Sequence, residues 1–288
     1  MLRKLRPSLR GSLPSARRTT DPPLTEPPNR AVLVERLRTA GCVFAEDEVD
    51  VLLASARTPI ELEDMVQQRV AGWPLEQIVG WAEFAGLRVA VDPGVFVPRR
   101  RTELLLRHAL ILAPSRPVVV ELCCGSAALS LALASALPDS ELYAVDIDPA
   151  AVRCATRNLA RLSTTTAQVR QGDLYEPLPA LLTGQVDVLL ANAPYVPTDS
   201  ISFMPPEARL YEPRLALDGG PDGLDVQRRI ASGATRWLAP DGHLLVETSG
   251  GQAAESVAIL ERHGLATRVV TSNEHDATVV IGRLAVHP

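Results

Sequence analysis

The chain has 288 residues, 46% of them hydrophobic and 4% aromatic, with a net charge of −5. That length predicts one domain of about 200 residues beside a smaller one, with enough apolar content for a real core. No apolar run approaches the roughly 20 residues needed to cross a bilayer, so a membrane-spanning helix is not expected.

Charge is unevenly spread. Residues 1–30 hold seven basic side chains against Asp21 and Glu26, a local +5, so the remainder carries −10. A body that acidic argues against broad binding to nucleic-acid backbone, which needs a basic surface. Leu2, Leu5, Leu9 and Leu13 share a helical face, as in an Arg-rich transit peptide. Pro7 and Pro14 interrupt it, and residues 1–30 are predicted to form a disordered, basic, Pro-rich tail.

Apolar spacing of three to four predicts helices over Ala31–Ala40, Glu46–Ala56 and Pro59–Ala71, a small helical domain at 31–80. Trp81–Phe84 and Leu87–Val91, joined across Ala85-Gly86, predict a hairpin linker at 81–94. Residues 95–288 follow as a larger domain, in which Thr102 is expected to cap a helix running to Ile111. Strands are predicted at 117–122, 141–145, 166–170, 186–191, 242–248, 266–271 and 277–283. Helices are predicted at 127–136, 149–162, 222–238 and 252–263. The alternation implies an α/β, Rossmann-like fold: a parallel sheet flanked by helices, with ligand sites at strand ends. The four cysteines and five histidines show no ligand spacing. A reduced, cytoplasmic protein without a metal site is expected.

Three strand ends carry suitable polar groups. Val118–Leu122 leads into Cys123-Cys124-Gly125-Ser126-Ala127, a loop of small residues through which backbone can approach a cofactor closely. With a single glycine it is a poor dinucleotide fingerprint, but S-adenosylmethionine has no pyrophosphate to cradle. Asp146 ends the second strand, 21 positions after Gly125, near the spacing at which a carboxylate accepts from ribose hydroxyls. Asp148-Pro149 reads as an N-cap followed by a first-turn proline. Asp173 follows the third strand, where a carboxylate suits an adenine amino group. Each acid alone reads as a cap or a solvated loop residue; three strand ends in order, each with a suitable polar group, point to a cofactor face.

Asn192-Ala193-Pro194-Tyr195 follows the apolar run 186–191. Taken alone it reads as a strand-ending turn. It is also one residue from Asn-Pro-Pro-Tyr, a signature of methyltransferases acting on planar, weakly nucleophilic nitrogens. An Asn oxygen and the next backbone carbonyl can accept the two N–H hydrogens of such a group, orienting it and favouring the charge that develops. The Tyr ring offers a stacking wall.

These residues, with Gly72–Gly80, Phe84–Leu87, Val97-Pro98-Arg99, Thr102–Leu105 and Tyr211–Gly220, resemble the HemK/PrmC family over about residues 59–285. Its members are protein-(glutamine-N5) methyltransferases that act on peptide-chain release factors. The resemblance implies a class I S-adenosylmethionine-dependent methyltransferase whose helical domain recognises substrate. It implies cofactor contacts from Glu121, Cys123, Cys124, Gly125, Ser126, Ala127, Asp146, Ile147, Asp173, Leu174 and Asn192. The substrate amide would be held by Asn192, Ala193, Pro194 and Tyr195. It also implies a monomer that takes a protein with an exposed glutamine, without stable nucleic acid or membrane partners. Ala193 stands for the family's first proline, Cys123 and Ala127 for glycines, and Arg100-Arg101 for Pro-Glu, the pattern of a divergent paralogue. Two alternatives stand beside this reading: a methyltransferase for another amide or amino nitrogen, in a small molecule or nucleobase, and a non-catalytic binding paralogue. Gly250-Gly251-Gln252 spells the tripeptide such enzymes modify, but it opens a helix, where Gly-Gly is read as serving the turn.

Overall fold

The apolar runs at 118–122, 141–146 and 186–191 lie side by side at the centre of a seven-stranded sheet in the computed structural model, which describes residues 29–162 and 166–284. The predicted tail at 1–30 lies almost wholly outside the described residues. In chain order the sheet contains β3 (Val118–Leu122), β4 (Glu141–Asp146), β5 (Thr166–Gln171), β6 (Val186–Ala191), β7 (Leu238–Thr248), β8 (Leu265–Ser272) and β9 (Ala277–Leu284). Their spatial order is β5-β4-β3-β6-β7-β9-β8. The first five are parallel, while β9 pairs antiparallel with both β7 and β8. The uniformly parallel sheet expected from the alternation therefore ends at β7. Only four residues join β8 to β9, enough for a hairpin and too few for a parallel crossover.

Helices cover both faces. Val119, Leu142, Ala144, Val188 and Leu190 pack against α5 (Glu103–Leu112), α6 (Ala128–Ala136) and α7 (Pro149–Leu159). Val120, Leu122, Tyr143, Val145 and Leu189 pack against α9 (Asp225–Trp237) and α10 (Ala253–Arg262). Central strands buried on both faces read as unbroken apolar runs, which is why they were legible. β7 begins four residues before its predicted start. Its first residues slip in register against Val186, where a Cβ on Gly242 would lie 2.7 Å from the Val186 carbonyl oxygen.

A separate apolar cluster (Leu33, Leu37, Val49, Leu52, Leu62 and Val66) joins α1 (Arg30–Thr39), α2 (Ala45–Ser55) and α3 (Pro59–Val70). The short α4 (Leu75–Val79) and α8 (Pro206–Tyr211) have no sequence counterpart, because a single turn carries no periodicity. The hairpin β1 (Trp81–Phe84) and β2 (Leu87–Ala90) is held to α7 by Asn158, which is fully buried. Its side chain accepts from Ala90 N at 2.9 Å and donates at 2.9 Å to the carbonyls of Ala90 and Ser126.

Candidate active site

The sheet order reverses at β3, with β4 on one side and β6 on the other, so the ends of β3 and β6 frame the crevice where open α/β sheets take ligands. A cleft of about 1090 Å³, part of it open to solvent, occupies that place. Glu121, Cys123, Cys124, Gly125, Ser126, Asp146, Ile147, Asp173, Leu174, Asn192 and Pro194 all line it. Ala127 and Ala193 are buried behind the lining, and the Tyr195 ring points aside towards Glu247.

The loop after β3 keeps the backbone a glycine-rich loop would have. Cys123, Gly125 and Ala127 adopt φ of 56°, 54° and 58°, and Leu174 across the cleft adopts 49°. A left-handed conformation costs a residue with a Cβ roughly 1–2 kcal/mol. The loop geometry is thus imposed by its surroundings: Cys124 N donates to Val145 O at 3.0 Å and Ala127 N to Cys124 O at 2.7 Å. Burial pushes the Cys123 and Cys124 thiols up, keeping them protonated.

Four acidic groups serve this region. Asp146 accepts from Gly125 N at 2.8 Å through one oxygen and from Asp148 N at 2.9 Å through the other, and burial raises its pKa. Asp148 caps α7 through Ala150 N at 2.8 Å, as its sequence context predicts. Asp173 pairs with Arg229 at 2.6 Å. Glu121, 3% exposed, accepts from the backbone N–H and hydroxyl of Ser130, yet burial pushes its pKa up to about 7.

At the other end, Asn192 Nδ2 donates to Thr102 Oγ1 at 3.1 Å. The Thr102 hydroxyl also favours the charged form of Glu247, whose pKa burial raises. The Thr102 oxygen has lone pairs to accept that amide N–H, which turns the Asn192 oxygen away from Thr102. Asn192 Oδ1 and the Ala193 carbonyl have no hydrogen-bond partner among the described residues. Thr102 occupies the N-cap position of α5 expected from sequence, but its side chain does not cap the helix. The chain enters α5 through a 3-10 turn over Arg100–Thr102, so Thr102 is already helical and its side chain makes no capping bond. Tyr195 Oη donates to Glu247 at 3.2 Å, and Arg101 lies 3.4 Å from the same carboxylate and 5.8 Å from the Tyr195 ring.

The methyltransferase small domain family model matches residues 86–204. A release factor glutamine methyltransferase from Geobacter sulfurreducens is 36% identical over 218 residues, 76% of this chain and 75% of that protein. The chain belongs to the release factor glutamine methyltransferase family. A 4-amino-L-phenylalanine/4-methylamino-L-phenylalanine methyltransferase from Streptomyces pristinaespiralis is 34% identical, covering 79% of this chain and 78% of its own. The crystal structure of a methyltransferase from Pyrococcus furiosus matches 70% of this chain and 91% of its own with a TM-score of 0.54 at 15% identity, a likeness of fold.

Sequence reasoning missed three groups of this family member's cleft. Phe96 and Arg229 line it, and Asn158 holds Ser126 from behind. Arg229 sits one turn into a helix and pairs with a residue 56 positions away, a contact no local pattern announces. Among the described residues, no group of three or more His, Cys, Asp or Glu side chains is arranged to hold a metal.

Proposed function

We propose that this protein transfers a methyl group from S-adenosylmethionine to the side-chain amide nitrogen of a glutamine in a peptide-chain release factor. The observation that carries the reading is Asn192, which lines the cleft with its Oδ1 unpartnered and is followed in the chain by the likewise unpartnered Ala193 carbonyl, in a cleft whose remaining lining suits the cofactor. The lining fits that cofactor's chemistry. Glu121, Asp146 and Asp173 outnumber the single guanidinium of Arg229, as suits a cationic ligand, and Val145, Ile147, Leu174 and Phe96 offer apolar surface to a flat ring.

In this reading Asp146 accepts from the ribose, Asp173 and Leu174 hold the adenine, and the 123–127 loop lies against the amino-acid part. When bound, S-adenosylmethionine supplies an electrophilic methyl on a sulfonium, transferable by in-line displacement without an enzyme-bound intermediate. Asn192 and the Ala193 carbonyl take the two amide hydrogens, orient the nitrogen lone pair and favour the positive charge that grows on nitrogen. Tyr195, held by Glu247 and Arg101, walls the acceptor site. The setting is the cytoplasm, a reading supported by four free cysteines.

Methyl transfer to an amino nitrogen of a small molecule is a second reading. It is favoured by the name and coverage of the Streptomyces pristinaespiralis relative and by Ala193, which leaves Asn192 without a following proline. The test is peptide mass spectrometry on release factors from the same organism after incubation with protein and S-adenosylmethionine. One added methyl on the Gly-Gly-Gln glutamine is expected. Asn192→Ala should abolish it while cofactor affinity by calorimetry stays within about twofold. Strong turnover by Asn192→Ala would remove that residue from the mechanism, and methylation of 4-aminophenylalanine but not of release factors would establish the second reading.

A further inference from the structure

Gly250-Gly251-Gln252 is read from sequence as a helix-opening turn that its glycines allow. Neither glycine adopts a positive φ, and a Cβ on Gly251 would meet open space, so the backbone does not require them. Gln252 is the engaged residue. Its Oε1 accepts from Ser249 Oγ at 2.6 Å, which fixes which way the amide faces. Nε2 then donates to the Tyr195 carbonyl and to the Asp222 carbonyl, each at 2.9 Å. Both donor hydrogens are committed, so this glutamine is not a self-methylation acceptor.

These bonds join three segments far apart in sequence: the end of β7, the loop after β6 and the approach to α9. The peptide between Tyr195 and Val196 is pinned on both edges, because Val196 N donates to Leu217 O at 3.0 Å while Gln252 takes the Tyr195 carbonyl. The second and third segments meet with no spare room. A Cβ on Gly223 would lie 2.3 Å from Tyr195 O and 2.5 Å from Gln252 Nε2, and one on Gly219 would lie 2.7 Å from Pro194 O.

We propose that Gln252 is a positioning residue for methyl transfer: it rivets the Tyr195 carbonyl to the 219–223 segment and thereby holds Asn192 and the Ala193 carbonyl at the spacing the acceptor nitrogen needs. It touches neither acceptor nor cofactor. Its role rests on the acceptor reading above, but the immobilisation it produces can be measured without any acceptor. Ala193 gives this rivet added weight, since the loop has one proline constraint instead of two.

The experiment compares the full chain with Gln252→Met and Gln252→Glu, which keep length but cannot donate. Hydrogen exchange followed by mass spectrometry is expected to speed at least tenfold in peptides covering 193–199 and 217–223, with the central strands unchanged. Cofactor affinity should stay within twofold, and kcat on the methylated acceptor should fall at least tenfold with less change in KM. Unchanged exchange in both peptides would overturn the proposal, as would a parallel loss of cofactor affinity, which marks a general folding role. If substitution at 252 prevents folding, Ser249→Ala frees the same amide without removing it, and faster exchange in the same two peptides is again required. Inactivity of the parent protein on every release factor would count against the acceptor reading alone, leaving the exchange result to decide the role of Gln252.

Discussion

Glu121 is the most strongly conflicted single residue of the cleft, a carboxylate at 3% exposure whose charge is opposed by burial and by Asp146 and supported only by Ser130. Its pKa near 7 in the folded protein lies well above the ordinary carboxylate value of 4.5. Below about pH 4.5 both folded and unfolded chains carry the proton, and Glu121 contributes no pH dependence. Between 4.5 and 7 the unfolded chain loses its proton first, so stability falls as pH rises, by a total of about 3 kcal/mol. Above 7 the whole penalty is present. Glu121→Gln should therefore flatten the stability curve across that window and be the more stable protein at pH 8. Denaturant titrations at pH 5 and pH 8 check this; the same parent-to-variant difference at both values would mean that Glu121 does not titrate there. A cationic ligand beside Glu121 favours the carboxylate, so the parent should also bind S-adenosylmethionine more tightly at pH 8 than at pH 5.5, and the variant should lose that gain.

At the scale of elements, what was legible depended on range. β3, β4, β6 and α7 announce themselves locally, through apolar runs and the Asp148-Pro149 start, and so do the polar groups after β4 and β6, Asp146 and Asn192. The partners that hold those groups were invisible because they arrive from far along the chain. Thr102 meets Asn192 across 90 residues, Asn158 meets Ala90 across 68, and Gln252 meets Tyr195 across 57. A buried asparagine on a helix is unremarkable in sequence, yet Asn158 satisfies three backbone groups and ties the hairpin to the loop after β3. Asn158→Leu would leave Ala90 N–H and two carbonyls unpaired, and an orphaned buried polar group costs about 1–3 kcal/mol. A loss of about 3 kcal/mol in stability is expected, with weaker cofactor binding because Ser126 is released. A variant as stable as the parent would show that water replaces the asparagine without cost.

Across the whole molecule, the α1–α3 cluster and the sheet have separate cores, so what couples them is a short set of contacts made through α4 and α8. Arg69 binds both Glu48 oxygens at 2.6 and 3.0 Å and reaches the Trp73 carbonyl at 3.0 Å and Glu207 at 3.1 Å. Gln77 donates to Val95 O at 3.0 Å, and Glu212 binds both Val97 N, at 3.2 Å, and Arg99. Tyr211 packs against Trp73 with ring centroids 4.8 Å apart and planes tilted by 39°, and donates to Ala71 O at 2.9 Å. We propose that residues 31–80 act as a substrate-recognition domain, the hairpin at 81–94 as its linker, and 95–288 as the catalytic domain. Phe203, Leu210 and Leu215, exposed on the segment that Tyr211 anchors, would then share in gripping a protein acceptor. Tyr211→Ala removes the ring pair and one hydrogen bond, together about 1–3 kcal/mol. Because no core is shared, that loss should appear as uncoupling: calorimetry should resolve the helical unit melting ahead of the sheet. KM for a protein acceptor should rise severalfold while cofactor affinity, on the proposed placement in the sheet's own cleft, stays that of the parent. A single transition with an unchanged acceptor KM would mean that the two units are coupled elsewhere and that the helical unit does not steer the acceptor.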